Sequence, residues 1–232
     1  MLTDGIVKAF QMLAALDEEI LGVAFMTFQV SGTATVLSVV LGIPLGLWLA
    51  LCDFPGKRFM RSLVNFGMGL PPVVVGLLVS ICLWRYGPLG DLGLMYTPAA
   101  MIIAQTIIAA PIVAGLSFAA VLGLNPQLEP QLISLGATRW QAIRLLVREA
   151  KLGLMAAVIA GFGRVISEVG ASMMVGGNIK GQTRVLTTAT VMEVGKGNYD
   201  TAIAISLILL LGAFGVVLAL TWLQHKGKSE QA

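Results

Sequence analysis

Charged residues divide this chain more sharply than any other pattern in it. No charge falls from Leu21 to Cys52, from Ser62 to Trp84 or from Leu92 to Leu128. Leu152 to Val175 carries only Arg164 and Glu168, and Thr201 to Gln224 is again free of charge. A helix needs about 20 apolar residues to cross the hydrocarbon of a bilayer, so the pattern predicts an all-α integral membrane protein with about five transmembrane helices. The third span is placed at Pro98 to Leu122, with Pro111 inside it. Gly42, Pro44 and Gly46 should bend the first span, and Leu70-Pro71-Pro72 should interrupt the second, since neighbouring helices can re-satisfy the backbone groups such bends free. Ahead of the first span, Ile6, Phe10, Leu13 and Leu16 recur at helical spacing among Asp4, Lys8, Asp17, Glu18 and Glu19. That predicts an amphipathic N-terminal helix over residues 1–20, with Thr3 or Asp4 as its N-cap. It lacks the basic leader, compact apolar run and small-residue cleavage site of a secretory signal, so an uncleaved chain is expected.

Composition sharpens the class. Hydrophobic residues make up 57% and charged residues 12%, with a mean hydropathy of +0.89, whereas soluble domains carry about a quarter charged residues. A single transmembrane domain over 1–232 is expected, with no room for a catalytic domain. Cys52 and Cys82 fall at opposite ends of successive spans, too far apart for a disulfide. No Cys or His cluster has metal spacing, His225 lies past the last span beside lysines, and no nucleophile, cofactor site or nucleic-acid interface emerges.

Charge placement sets the expected orientation. Lys57, Arg58, Arg61, Arg139, Arg144, Arg148, Lys151, Lys226 and Lys228 fall on one side of a five-span chain. Lys8, Arg85, Lys180, Arg184 and Lys196 fall on the other, and Arg164 lies within a span. The positive-inside rule then puts the first group in the cytoplasm, with the N-terminus outside and the C-terminus cytoplasmic.

The polar island between the third and fourth spans is the place to meet a soluble partner. Leu128, Leu132 and Leu135 mark a short helix ended by Gly136, whose freedom permits a sharp reversal before Ala137-Thr138-Arg139. The stretch resembles the coupling loop of ABC importer membrane subunits, a Glu-Ala-Ala followed by Gly that docks into an ATPase. Glu129, Gly136 and Ala137 fit it, while Gln131 and Leu132 replace the usual alanines. Asp53-Phe-Pro-Gly-Lys57, Leu70-Pro-Pro-Val-Val-Val-Gly76, Gly136-Ala-Thr-Arg-Trp140, Ser167-Glu-Val-Gly-Ala171 and Gly177-Asn-Ile-Lys-Gly-Gln-Thr-Arg184 together resemble the molybdate and tungstate permease group. Arg148-Glu-Ala150, Gly163-Arg-Val-Ile-Ser-Glu-Val-Gly170 and Met174-Val-Gly-Gly-Asn178 are similar to its tungstate branch, with molybdate or a sulfate-like oxyanion as the alternative substrate.

The resemblance implies a type I ABC importer permease in the prokaryotic inner membrane. It would pair with a second copy of itself, receive its oxyanion from an extracytoplasmic binding protein and be driven by a cytoplasmic ATPase dimer. ATP and Mg would be bound by that partner and no cofactor by this chain. Glu129, Leu132, Leu135, Gly136, Ala137, Thr138 and Arg139 would form the ATPase contact within a cytoplasmic loop at 125–150. Rival classes are a secondary transporter, which would favour inverted repeats, and a non-transporting scaffold.

Four further features carry expectations. Arg164 and Glu168 are four apart, so a continuous helix would pair them on one face, lining or bracing the path. Pro71 and Pro72 would free carbonyls along it. Gly176 to Thr183 nearly spells a phosphate-binding loop, but Gln182 stands where lysine is needed and no strand precedes it. The external loop at 176–198 is expected instead to offer Lys180 and Arg184 to the binding protein. Thr187, Thr188 and Thr190 could give hydroxyl donors to tetrahedral oxygens.

Overall fold

The computed structural model describes residue 7 and residues 18–229, with side chains described through residue 224. The expected N-terminal helix over 1–20 lies outside the described residues except at Val7 and at Glu18 to Ile20, and the latter already belong to the first long helix.

That helix, α1 (Glu18–Leu51), runs unbroken through Pro44. It lies along α4 (Pro98–Leu122), and the two approach backbone to backbone at Gly42 and Gly46. A Cβ on Gly42 would sit 2.8 Å from the Ala110 carbonyl oxygen, and one on Gly46 would crowd the Ala114 carbonyl in the same way. Small residues one turn apart are what allow transmembrane helices to pack this closely, because lipid gives no hydrophobic drive for association.

Between these two helices the chain makes α2 (Lys57–Met68) and α3 (Pro72–Leu83), which meet at 100° across Gly69 to Pro71. Pro72 occupies the first turn of α3, where its missing N–H costs nothing. A 3-10 turn, Gly90–Leu92, leads into α4. After α4 come α5 (Leu128–Ser134), α6 (Arg139–Glu149) and α7 (Lys151–Ile166). The remaining elements are α8 (Gly170–Gly176), α9 (Leu186–Gly195) and α10 (Tyr199–Ser229).

Three helices, α1, α4 and α10, are long and apolar enough to cross a bilayer alone. The α2–α3 pair and the α7–α8 pair, the latter bent by 58°, bring the number to five if each is one span. All described elements are helical. The sequence predicts a continuous fourth span from Leu152 to Val175, and here the structure differs. The helix stops at Ile166, where the Ser167 hydroxyl donates back to the Gly163 and Arg164 carbonyls, and the Glu168 carboxylate caps a new helix.

Two ends of the molecule follow from the contacts of α1. Its first turn meets the loop before α9, through Glu19. Its last turns, at Leu47, Ala50 and Leu51, pack with Val121, Leu124, Val147, Ala150 and Leu154 beside the α5–α6 corner. Gln224 on α10 donates to the Leu152 carbonyl at that same end. The corner and the loop therefore lie about 50 Å apart along a 34-residue helix.

Candidate functional site

The corner is built from two opposed helix ends. α5 closes in a Schellman motif: the Ala137 N–H donates to the Leu132 carbonyl and the Gly136 N–H to the Ile133 carbonyl, both at 3.0 Å. This needs a left-handed residue, and Gly136 supplies it with φ +89°. Two residues on, Thr138 caps α6. Its hydroxyl accepts from the Gln141 N–H, and the Gln141 side-chain oxygen accepts from the Thr138 N–H at 2.8 Å. The turn is thus fixed at both ends by short-range bonds.

What this corner presents is apolar. Leu135 is 83% and Trp140 81% exposed, with Ile133 beside them, while Leu128, Glu129 and Leu132 are half-buried. The three leucines do not share one outward face, since the Gly136 reversal sends Leu135 outward. Arg139, Arg144 and Arg148 are exposed, and none makes an ion pair among the described residues. Large side chains at this exposure, framed by arginines, are the composition of a protein-docking anchor. The signal for this cap is in the sequence: Thr138-Arg-Trp-Gln141 has capping-box spacing, with Trp140 inside it.

A second constellation lies deeper, where the two bent pairs meet. A Cβ on Gly76 of α3 would sit 2.7 Å from the Ala171 Cα of α8, and Gly170 is held against Val73. The break at Pro71-Pro72 therefore packs against the break at Ser167 to Val169. Glu168 is buried there, and its Oε1 accepts from the Ala171 N–H at 3.0 Å, which caps α8. The expected Arg164–Glu168 ion pair is not formed. The helix ends between the two residues, so they no longer share a face, and the carboxylate turns to the α8 amide.

Gln105, the amide side chain inside the apolar α4 run, reaches across to Ser172 at 3.0 Å, and its oxygen Oε1 has no partner. The Thr187 hydroxyl donates to the Glu168 carbonyl, and Thr27 of α1 accepts from the Leu186 N–H. Thr188 donates to Asn178 and Thr190 to the Leu186 carbonyl. The threonine hydroxyls expected to serve an anion are thus committed to holding α9 and its neighbours.

The loop from Gly177 to Arg184 is likewise closed on itself. The Gln182, Thr183 and Arg184 amides all point at the Ile179 carbonyl, and the Thr183 hydroxyl donates to the Gly176 carbonyl. Lys180 and Arg184, expected to stand free, both meet Glu19 of α1, at 2.6 and 3.7 Å. Lys180 remains 64% exposed, but the Arg184 side chain is only 16% exposed, so its reach is inward. Nearby, Lys196 and Asn198 hydrogen-bond Glu193 and hold its carboxyl below the usual carboxylate range. Among the described residues no group of His, Cys, Asp and Glu is placed to hold a metal.

Comparison with known proteins agrees with this architecture. The chain is 40% identical over 97% of its length to the tungstate uptake system permease protein TupB of Peptoclostridium acidaminophilum, covering 99% of that protein. It is 34% identical over 97% of its length to the protein of the same name from Campylobacter jejuni, covering 92% of it. The molybdenum transport permease ModB of Escherichia coli is more distant, at 28% over 80% of this chain and 88% of that one. Among solved structures, the inward-facing MetNI methionine ABC transporter superposes with a TM-score of 0.75 at 20% identity, covering 92% of this chain and 98% of that chain. The fold is that of a type I ABC importer permease. The family profile described as the binding-protein-dependent transport system inner membrane component matches residues 42–226, and this chain belongs to that family of multi-pass membrane subunits.

Proposed function

We propose that this chain is the permease subunit of an importer for tungstate, working as a pair of copies. The observation that carries the substrate is the likeness to tungstate permeases along 97% of the chain, against weaker likeness to a molybdenum permease. An extracytoplasmic binding protein delivers the oxyanion at the loop end, where Lys180 is the exposed cation of the closed loop. A cytoplasmic ATPase supplies the energy, binding ATP and Mg itself, and this chain contributes no hydrolytic site. The corner is its coupling element, with Leu135, Trp140 and Arg139 seated in the ATPase and Gly136, Ala137 and Thr138 fixing the turn. Glu129 and Leu132 hold α5 to the frame behind it.

The charge distribution supports a cytoplasmic corner, an external N-terminus and a cytoplasmic C-terminus. Movement of the corner is passed to α4 and α7, which flank it in sequence, and on to the crossing of α3 and α8. Pro71, Pro72 and Glu168 shape that crossing. Arg164, half-buried one turn before the break, lends positive charge near the route without being neutralised by Glu168. A weak path of this kind suits a dianion that must leave as readily as it enters.

The test is elemental mass spectrometry of cells with and without this chain, offered tungstate and molybdate together at low concentration. Loss of tungsten accumulation alone is the expected result. Loss of molybdenum alone would overturn the substrate, and no change in either would overturn the importer reading.

A further inference from the structure

The helix α2 has three faces rather than two. At 100° per residue, Met60, Val64 and Gly67 form one stripe, and Val64 and Gly67 are buried against α4. Phe59, Leu63 and Phe66 form a second, apolar and exposed. Arg58, Arg61, Ser62 and Asn65 form a third, polar and also exposed. A helix bounded by protein and lipid alone has use for the first two only.

Its depth makes the third stripe informative. The Arg61 guanidinium lies 5.0 Å over the Phe118 ring, Val64 packs in one cluster with Ala114, and a Cβ on Gly67 would meet the ring of Pro111 at 2.8 Å. α2 therefore runs antiparallel to the second half of α4. Pro111 lies eleven residues before the end of α4 at Leu122, about 16 Å along the axis, which is about half of a 30 Å hydrocarbon core. Ser62 and Asn65, which fall between the Phe118 and Pro111 levels, are thus carried roughly 8 and 13 Å past the end of α4 into the membrane. The Asn65 side chain has no hydrogen-bond partner among the described residues, and the Ser62 hydroxyl bonds only its own helix, at the Arg58 carbonyl. Polar groups at such depth face a wet cavity or protein, since lipid satisfies none of their bonds.

We propose that the Arg58, Ser62 and Asn65 stripe lines the water-filled exit of the translocation path at the corner end, and that Arg58 draws the oxyanion towards the cytoplasm. Lys57 takes no part, because it is paired with Asp53 at 2.9 Å, whereas Arg58 has no ion pair among the described residues. The stripe runs from the solvent end of α2 towards the Gly69 to Pro71 break, so it joins the crossing of α3 and α8 to the cytoplasm. The anion in this inference rests on the tungstate reading above; the wet stripe itself rests on the placement of α2.

The test is thiol labelling of the full transporter complex in inside-out membrane vesicles. Cys52 and Cys82 are first replaced by serine, and S62C, N65C, L63C and F66C are introduced singly. Water-soluble methanethiosulfonates should modify S62C and N65C and spare L63C and F66C. At S62C the anionic reagent should react faster than the cationic one by roughly three- to ten-fold, the range expected from one positive charge some 6 Å away in water with and without salt screening. R58Q should reduce that bias at S62C, leaving the part owed to Arg61 in the same stripe, and lower the maximal tungstate uptake rate. Protection of S62C and N65C, or equal reaction at L63C and F66C, would overturn the proposal, as would an unchanged bias in R58Q. Labelling does not depend on which anion is carried. A failed uptake assay with intact labelling would therefore count against the tungstate reading, and failed labelling with intact uptake against this one.

Discussion

Gly136 offers the cleanest separation of shape from space. A Cβ built there meets no atom within 4 Å, so a larger side chain displaces nothing. The penalty comes from the backbone instead: at φ +89° an L-residue is strained by about 1–2 kcal/mol. That moves the corner's equilibrium by a factor of about 5–30 away from the observed turn. Both Schellman bonds, from Gly136 to Ile133 and from Ala137 to Leu132, are lost in any other conformation. G136A and G136V should therefore insert normally into the membrane, yet capture less ATPase and take up less tungstate. G136N should recover most of both activities, because asparagine tolerates the left-handed region. Co-purification of the ATPase and uptake by intact cells are the two assays. If G136N is as damaged as G136V, the defect is one of surface fit, and the conformational argument fails. If G136V behaves as wild type, the corner is not the coupling element.

Other expectations follow from the same geometry. W140A should lower ATPase capture by about ten-fold or more with no loss of folding, since this side chain is 81% exposed; unchanged capture would remove it from the interface. Gly76→Leu should strain the α3–α8 crossing by about 1–3 kcal/mol, because the nearest obstacle is the Ala171 backbone; uptake should fall while membrane levels hold. E168A should cost about 0.5–2 kcal/mol in detergent melts by uncapping α8, E168Q should cost less because it keeps an acceptor, and the swap R164E/E168R should rescue nothing. Glu193 titrates below its unfolded value in the folded protein. Its contribution is then complete above the unfolded value and fades as pH falls through the folded one. Melting curves of E193Q should accordingly show a shallower loss of stability in acid, and an identical slope would contradict the assignment.

The long apolar runs and the Gly136 reversal were legible because each is written locally. The span expected at about Pro98 to Leu122 is the helix found there, and the short helix expected to end at Gly136 stops at Ser134, one residue earlier than its leucine pattern implies. The break at Ser167 to Val169 was not legible. Ser167-Glu-Val-Gly reads as helix by hydropathy, and only the partners in three dimensions turn Glu168 from an ion-pair partner into a cap. The Glu19 contacts to Lys180 and Arg184 join residues about 160 apart, which no spacing rule connects. The threonines of α9 look free in the sequence for a related reason. A hydroxyl looks available until its neighbours on α1 and in the preceding loop are in place.

The central claim is that ATP-driven motion enters at the corner and opens a path for tungstate. It is tested most directly in proteoliposomes holding the purified complex of this chain with its ATPase, with binding protein and tungstate added on the side of the loop. Tungsten should accumulate on the corner side only when ATP is present there, and G136V should hold ATP hydrolysis and accumulation far below wild type. Accumulation without ATP, or wild-type accumulation with the G136V corner, would contradict the account.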